Sequence, residues 1–194
     1  MLEPLFNFLS LFQKLSIPDR ELIAKNVSFK TVKESEVLLK EGRTAREMFF
    51  ICDGVLKIVH SDDKGDDVIH YFLRENQFCT ILKSFTEDIP SKDRIQAACD
   101  TTVIVFEKNK LYALYKALPF FQNLLNKIIQ QSLVDKIEIT NSYLGKDAST
   151  RYQKFIISQS DIALRVSQTD IASYLGITKQ SLSRIRKQFN ENAF

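Results

Sequence analysis

The chain contains no run of about 18 consecutive apolar residues, the length a membrane-spanning helix needs, so no transmembrane helix and no membrane partner are expected. Its N-terminus, MLEPLFNFLSLFQKLS, is apolar but has an early glutamate, no basic leader and no small-residue cleavage site. That stretch reads as a helix and not as a signal peptide, which makes the cytoplasm the expected location. Cysteine is scarce: Cys52, Cys79 and Cys99 lie far apart. An odd, scattered set fits reduced thiols better than a disulfide framework, and it lacks the close spacing of a zinc or iron–sulfur site. The only histidines, His60 and His70, fall in predicted strands with nothing nearby to complete a ligand set, so no metal is expected. No nucleophile–base pair, metal motif or phosphate-binding glycine loop occurs, and an enzyme is not expected. Repeats and low-complexity segments are also missing.

What is present falls into three kinds of pattern. The 194 residues are 44% hydrophobic, enough to bury a core, and carry a net charge of +3. That charge is unevenly placed. Beyond Gly145 there are eight Lys and Arg against four Asp and Glu, a net +4, which leaves the first 145 residues at about −1. A polyanion would therefore be met by the C-terminal segment. From about residue 26 to 108, VSFKTVK, EVLLKEG, MFFICDGVLKIVHSD, DVIHYFL and TTVIVFEK are rich in β-branched and aromatic residues and read as strands. Gly42, Gly54 and the DDKGDD turn around Gly65 separate them. Short strands at this spacing predict an antiparallel barrel or sandwich.

From about Asn109 the period changes. Pro119 suits a first helical turn, and Phe121, Leu125, Ile129, Leu133 and Ile137 then recur every four residues, widened by Leu124 and Ile128. This predicts one long helix reaching Tyr143. A single small sheet face cannot cover an apolar stripe that long and wide, so Phe121, Leu125, Ile128, Ile129 and Leu133 are expected to form the interface with the same helix of a second copy; the alternative is a helix lying wholly on its own domain.

Near the C-terminus stands SQTDIASYLGITKQSLSRIR. Ser167 is a good N-cap, with Asp170 three residues on in the position of a capping box. Ile171, Ala172 and Leu175 form an inward face, and Gly176 ends the helix where a left-handed residue is wanted. Thr178 caps a second helix, whose Leu182, Ile185 and Phe189 bury one side. Two short helices joined by a tight glycine turn make a helix–turn–helix. The second helix leaves Lys179, Gln180, Ser183, Arg184 and Lys187 on its free face. Lysine and arginine bond guanine edges or phosphates and glutamine bonds adenine, so this face fits the DNA major groove. Ser167, Gln168 and Thr178 at the helix starts complete the candidate contact set. The alternative is a helical pair with a solvated basic face, in a small-molecule-binding or protein-interaction module that does not read DNA.

In this order, the patterns resemble the cyclic-AMP receptor protein/Fnr family of bacterial transcription regulators over nearly the full chain. LLKEGRTAREMFFICDGVLKIVHSDDKGDDVIHYFLRENQF is similar to the family's β-roll, and SQTDIASYLGITKQSLSRIRK to its DNA-reading motif. The resemblance implies an α+β fold: an antiparallel β-roll like a cyclic nucleotide-binding domain (a double-stranded β-helix), a long dimerisation helix, and a C-terminal winged helix–turn–helix. The corresponding segments are 1–112, 113–145 and 146–194. It also implies a homodimer on a two-fold DNA site, a small-molecule effector in the roll, and RNA polymerase as a further partner. Lys179, Gln180 and Arg184 fall on the family's base-reading positions. The first two are commonly arginine and glutamate, so a different DNA site is expected. The chain ends soon after the second helix, so any wing must come from DIALRVS. In the family's phosphate cassette, Thr80 and Ile81 stand where glycine and glutamate would be, and Ser91 and Lys92 where arginine and serine would be. An isoleucine cannot bond a ribose hydroxyl, and a serine cannot balance a phosphate. Cyclic AMP is therefore not expected, and the effector is unknown. The candidate effector pocket is Phe78, Cys79, Thr80, Ser91, Lys92 and Arg94.

Overall fold

A computed structural model describes residues 1–62 and 65–191. The apex of the predicted hairpin turn, Asp63 and Lys64, lies outside the described residues. Two short helices open the chain, α1 (Glu3–Ser10) and α2 (Ile17–Lys25). They split where Ser16 and Asp19 form a reciprocal capping box at the start of α2. Eight strands follow: β1 (Ser28–Val32), β2 (Val37–Leu39), β3 (Glu47–Asp53), β4 (Leu56–Ser61), β5 (Asp67–Leu73), β6 (Phe78–Cys79), β7 (Asp93–Ala97) and β8 (Thr101–Glu107). A short helix, α3 (Leu82–Glu87), interrupts them after β6.

The strands form two four-stranded antiparallel sheets, ordered β1-β8-β3-β6 and β2-β7-β4-β5. This is the β-roll the patterning predicts. Strand β5 lies at the edge of its sheet. The β3–β4 turn passes close to β8. A Cβ on Gly54 would overlap Thr101 Oγ1 and the Asp100 carbonyl, and its φ is +99°, so only glycine fits.

From the β1-β8-β3-β6 sheet, Phe50, Phe78 and Phe106 pack with the helix residues Phe8 and Phe121 into the main core. Helix α4 (Lys108–Ala117) leaves the roll, and α5 (Pro119–Tyr143) follows after one residue, with Pro119 in its first turn. Phe121, Leu125 and Ile128 are at most 2% exposed, buried against the roll of their own chain. Three of the residues expected at a dimer interface are thus core residues of one chain and unavailable to a partner. The single sheet face does cover the first half of the stripe. Ile129 is partly buried on the same core, and Leu133, Val134 and Ile137 stay 41%, 48% and 59% exposed.

The C-terminal segment contains α6 (Ala148–Ser158), α7 (Ser160–Ala163), α8 (Gln168–Tyr174) and α9 (Lys179–Glu191). Asp147 caps α6 by accepting from the Thr150 amide at 2.9 Å. Among the described residues no strand lies beyond Glu107. DIALRVS, expected to supply a short wing, forms α7 and a turn: the Ala163 amide donates to the Gln159 carbonyl at 3.0 Å, and Ile162 and Val166 are buried in the helical core. These helices share a second core with the outer face of the roll. Val55, Val59, Ile69, Phe72 and Ala98 pack with Tyr152, Phe155, Ile171 and Leu182.

Candidate nucleic-acid interface and effector cavity

Local chemistry builds the helix–turn–helix as the spacing predicts. The Ser167 hydroxyl accepts the Asp170 amide at 3.1 Å and starts α8. Gly176 takes φ +63°, and the Ile177 amide reaches back to the Ala172 carbonyl at 3.0 Å, closing the turn. Thr178 Oγ1 then accepts the Ser181 amide at 3.1 Å and starts α9. Ile171, Ala172, Leu175, Leu182 and Ile185 are buried, and Phe189 packs edge-on against Tyr152.

The opposite side of α9 brings Lys179, Gln180, Ser183, Arg184 and Lys187 together, all exposed. It is one polar, basic face on a helix whose other face is fully committed to the core. Ser167 and Thr178 are exposed but spend their hydroxyls on caps, and Gln168 is partly buried.

Asp170 departs from expectation. Its carboxylate does not return to Ser167 to complete a capping box. Both of its oxygens accept from Lys57 Nζ on β4, each at 2.8 Å, in a pair whose side chains are 11% and 15% exposed. A charge from the roll outcompetes the local amide.

That pair belongs to a larger seam between α8 and the edge of the roll. Ser173 Oγ accepts the Ile69 amide at 3.1 Å and donates to the Asp67 carbonyl at 2.8 Å, so a side chain satisfies edge-strand groups of β5. Arg165 grips Glu75 with two guanidinium nitrogens, and Glu75 also accepts the Gly54 amide at 2.7 Å. Arg74 pairs with Asp161 at 2.5 Å. Phe72 lies 5.0 Å from the Tyr174 ring centre. Burial pushes the Glu75 carboxyl up, but Arg165 and the Gly54 amide outweigh it and hold it below the usual range. Asp161 is likewise lowered, the Arg74 contact overcoming its burial.

The candidate effector residues do not converge. Phe78 is packed among Phe8, Phe50 and Phe106. Cys79 is buried, which pushes its thiol up to about 12 and leaves it neutral. Ser91 is buried and donates to the Asp93 carbonyl at 2.7 Å. Lys92 is exposed on a turn, and Arg94 points to the other side of the sheet, where it pairs with Asp67. Cys79 lies in β6 of one sheet and Arg94 in β7 of the other, so Cys79, Ser91, Lys92 and Arg94 are not brought together. Thr80, which donates to the Glu47 carbonyl at 2.9 Å, does border a cavity.

That cavity, about 190 Å³, lies between the roll and the C-terminal half of α5. Lys136 and Tyr71 line it, and neither is singled out as a site residue by the sequence. Only the return of α5 over the sheet places them together. His60 and His70 stack nearby at 5.2 Å, with His60 Nδ1 hydrogen-bonded to Asp93 at 2.9 Å. Among the described residues, no three His, Cys, Asp or Glu side chains are arranged to hold a metal ion.

Known proteins share this architecture. The cyclic nucleotide-binding domain family matches residues 29–117, the span from β1 through α4. The transcriptional activator protein FnrA of Stutzerimonas stutzeri is 24% identical over 172 residues, 83% of this chain and 70% of FnrA. Among solved structures, a crp/fnr-family protein of Eubacterium rectale superposes with a TM-score of 0.73 at 19% identity, over 96% of this chain and 88% of its own. The c-di-GMP-responsive global regulator CLP of Xanthomonas campestris gives 0.74 at 12% identity, over 92% and 93%. The two superpositions establish a common fold from the roll to the last helices. Matching the cyclic nucleotide-binding domain family from β1 through α4 and continuing into a long helix and a helix–turn–helix, the chain has the architecture of the crp/fnr-family protein it superposes on.

Proposed function

We propose that this chain is a sequence-specific DNA-binding transcription regulator that works as a homodimer, with an effector-binding roll whose ligand is not cyclic AMP. The observation that carries the reading is the exposed face of α9, where Lys179, Gln180, Ser183, Arg184 and Lys187 stand opposite the buried Leu182 and Ile185. A helix so divided presents base-bonding and phosphate-bonding groups to a major groove while its core holds it rigid. Relatives named as transcriptional activators support the same reading.

Lys179 and Gln180, at the N-terminal end of α9, contact base edges. Arg184, one turn on, falls on a base-reading position and also reaches a phosphate, as Ser183 and Lys187 do. Lysine lacks the bidentate fork of arginine, so each base contact at Lys179 is less directional. Dimerisation uses the exposed apolar part of α5, Leu133, Val134 and Ile137, and spaces two copies of α9 on a two-fold site. The chemistry is binding and not catalysis. RNA polymerase is the expected downstream partner.

Fluorescence anisotropy with duplex DNA tests this. The wild type should bind with strong salt dependence, and Arg184→Ala with Lys187→Ala should reduce the slope by about 2, one for each phosphate no longer neutralised. Binding indifferent to salt, or to both substitutions, would contradict the reading.

A further inference from the structure

The cavity between the roll and α5 holds a cation that no carboxylate balances among the described residues. Its roll-side wall includes Tyr71, Thr80 and Ile81, and its α5 wall is Leu133, Lys136 and Ile137. Lys136 Nζ lies 4.9 Å from the centre of the Tyr71 ring. Asp93 also borders the cavity, but its carboxylate is engaged by His60. Cys79 is nearby and stays a neutral thiol. Burial lowers the pKa of Lys136, the mark of an ammonium short of solvent and of anions.

Lysine side chains ordinarily extend to keep the ammonium in water. This one turns inward, over an aromatic face and beside apolar walls. An unpaired, partly desolvated cation costs free energy that an incoming anion would recover. At about 190 Å³ the cavity holds many times the roughly 10–15 Å³ that a single water needs. Its volume is below the ~300 Å³ at which pockets for larger organic ligands begin.

We propose that this cavity binds a small organic carboxylate with a compact apolar body, its charge balanced by Lys136 and its body held by Ile58, Tyr71 and Ile81 of the roll. The proposal rests on the reading of the roll as an effector domain and supplies the ligand class for it. Recognition comes from α5 and not from the cassette between β6 and β7, which offers no counter-charge. Tyr71 sits on β5 between residues that pack against the C-terminal helices, Ile69 and Phe72. A ligand that fixes Lys136 over Tyr71 therefore bears on the strand that holds α8.

Isothermal titration of the full chain decides it, using benzoate and hexanoate, their neutral amides, inorganic phosphate and cyclic AMP as probes. At least one carboxylate should bind saturably, and its amide should bind roughly tenfold more weakly or worse, the loss of one charge-assisted contact. Lys136→Met should abolish that difference and Lys136→Arg should keep it. If Lys136→Met does not fold, the carboxylate–amide comparison in the wild type still decides. Saturation by neither carboxylate, equal binding of acid and amide, undiminished binding by folded Lys136→Met, or binding of cyclic AMP alone would each overturn the proposal. Phosphate binding as tightly as benzoate would overturn its apolar component. Duplex-DNA binding by the same preparation is read separately, so a failed cavity is distinguishable from a failed regulator.

Discussion

At the residue scale, the side chains with two plausible partners carry the most information. Asp170 sits where a capping box would use it, yet it gives both oxygens to Lys57. Removing one member of a shielded pair strands the other charge, which costs about 3 kcal/mol or more. Lys57→Met should therefore lower stability by about that amount, and adding Asp170→Leu should restore much of it, as read by urea unfolding. Equal losses in the single and double variants would show that the pair is not coupled. At the reading face, Lys179→Ala or Gln180→Ala should relax preference at one base position by about 1–3 kcal/mol without changing the fold. Competition between duplexes that differ at that position measures the effect.

At the element scale, α5 shows what its pattern could and could not convey. The four-residue recurrence of apolar side chains is local, so the helix and its end at Tyr143 are legible in the residues alone. Which half of the stripe meets the roll depends on where α4 delivers the chain, and no spacing records that. Leu125→Glu should therefore unfold the protomer rather than split a dimer, since Leu125 is fully buried. Leu133→Glu with Ile137→Glu should leave the protomer folded and shift sedimentation from dimer to monomer. A dimer that survives the second pair would place the interface elsewhere.

The helix–turn–helix is legible for the same local reason: Ser167, Gly176 and Thr178 act on their own neighbours. Strands β6 and β7 are not, because two residues of β6 and the polar run through Lys92 to Gln96 carry no alternation strong enough to distinguish a strand from a binding loop. Lys136 carries no signal of its own, because a lysine on a mixed helix face looks solvated until tertiary packing turns it inward.

At the scale of the whole molecule, the roll and the helix–turn–helix are joined through one seam. Acid should loosen it. Glu75 and Asp161 are held below their usual 4.5 and 3.8 by Arg165 and Arg74. Their folded values are depressed, so the stabilisation is fully present above those usual values and fades as pH falls through the lower folded ones. Hydrogen exchange at the Ile69 amide, held by Ser173, should therefore accelerate below about pH 4 after correction for intrinsic rates. Unchanged protection there would mean that the apolar contacts alone hold α8. The seam and the Lys136 cavity lie on the two sides of the β4–β5 pair, which gives an effector a mechanical path to the reading helix.

The most direct measurement is selection of a randomised duplex pool by the purified chain at two salt concentrations. A regulator of this kind should enrich a two-fold sequence whose affinity falls steeply with salt and whose enrichment disappears in Lys179→Ala combined with Arg184→Ala. Salt-sensitive retention of DNA with no enriched sequence, or an enrichment that the α9 substitutions leave intact, would contradict it.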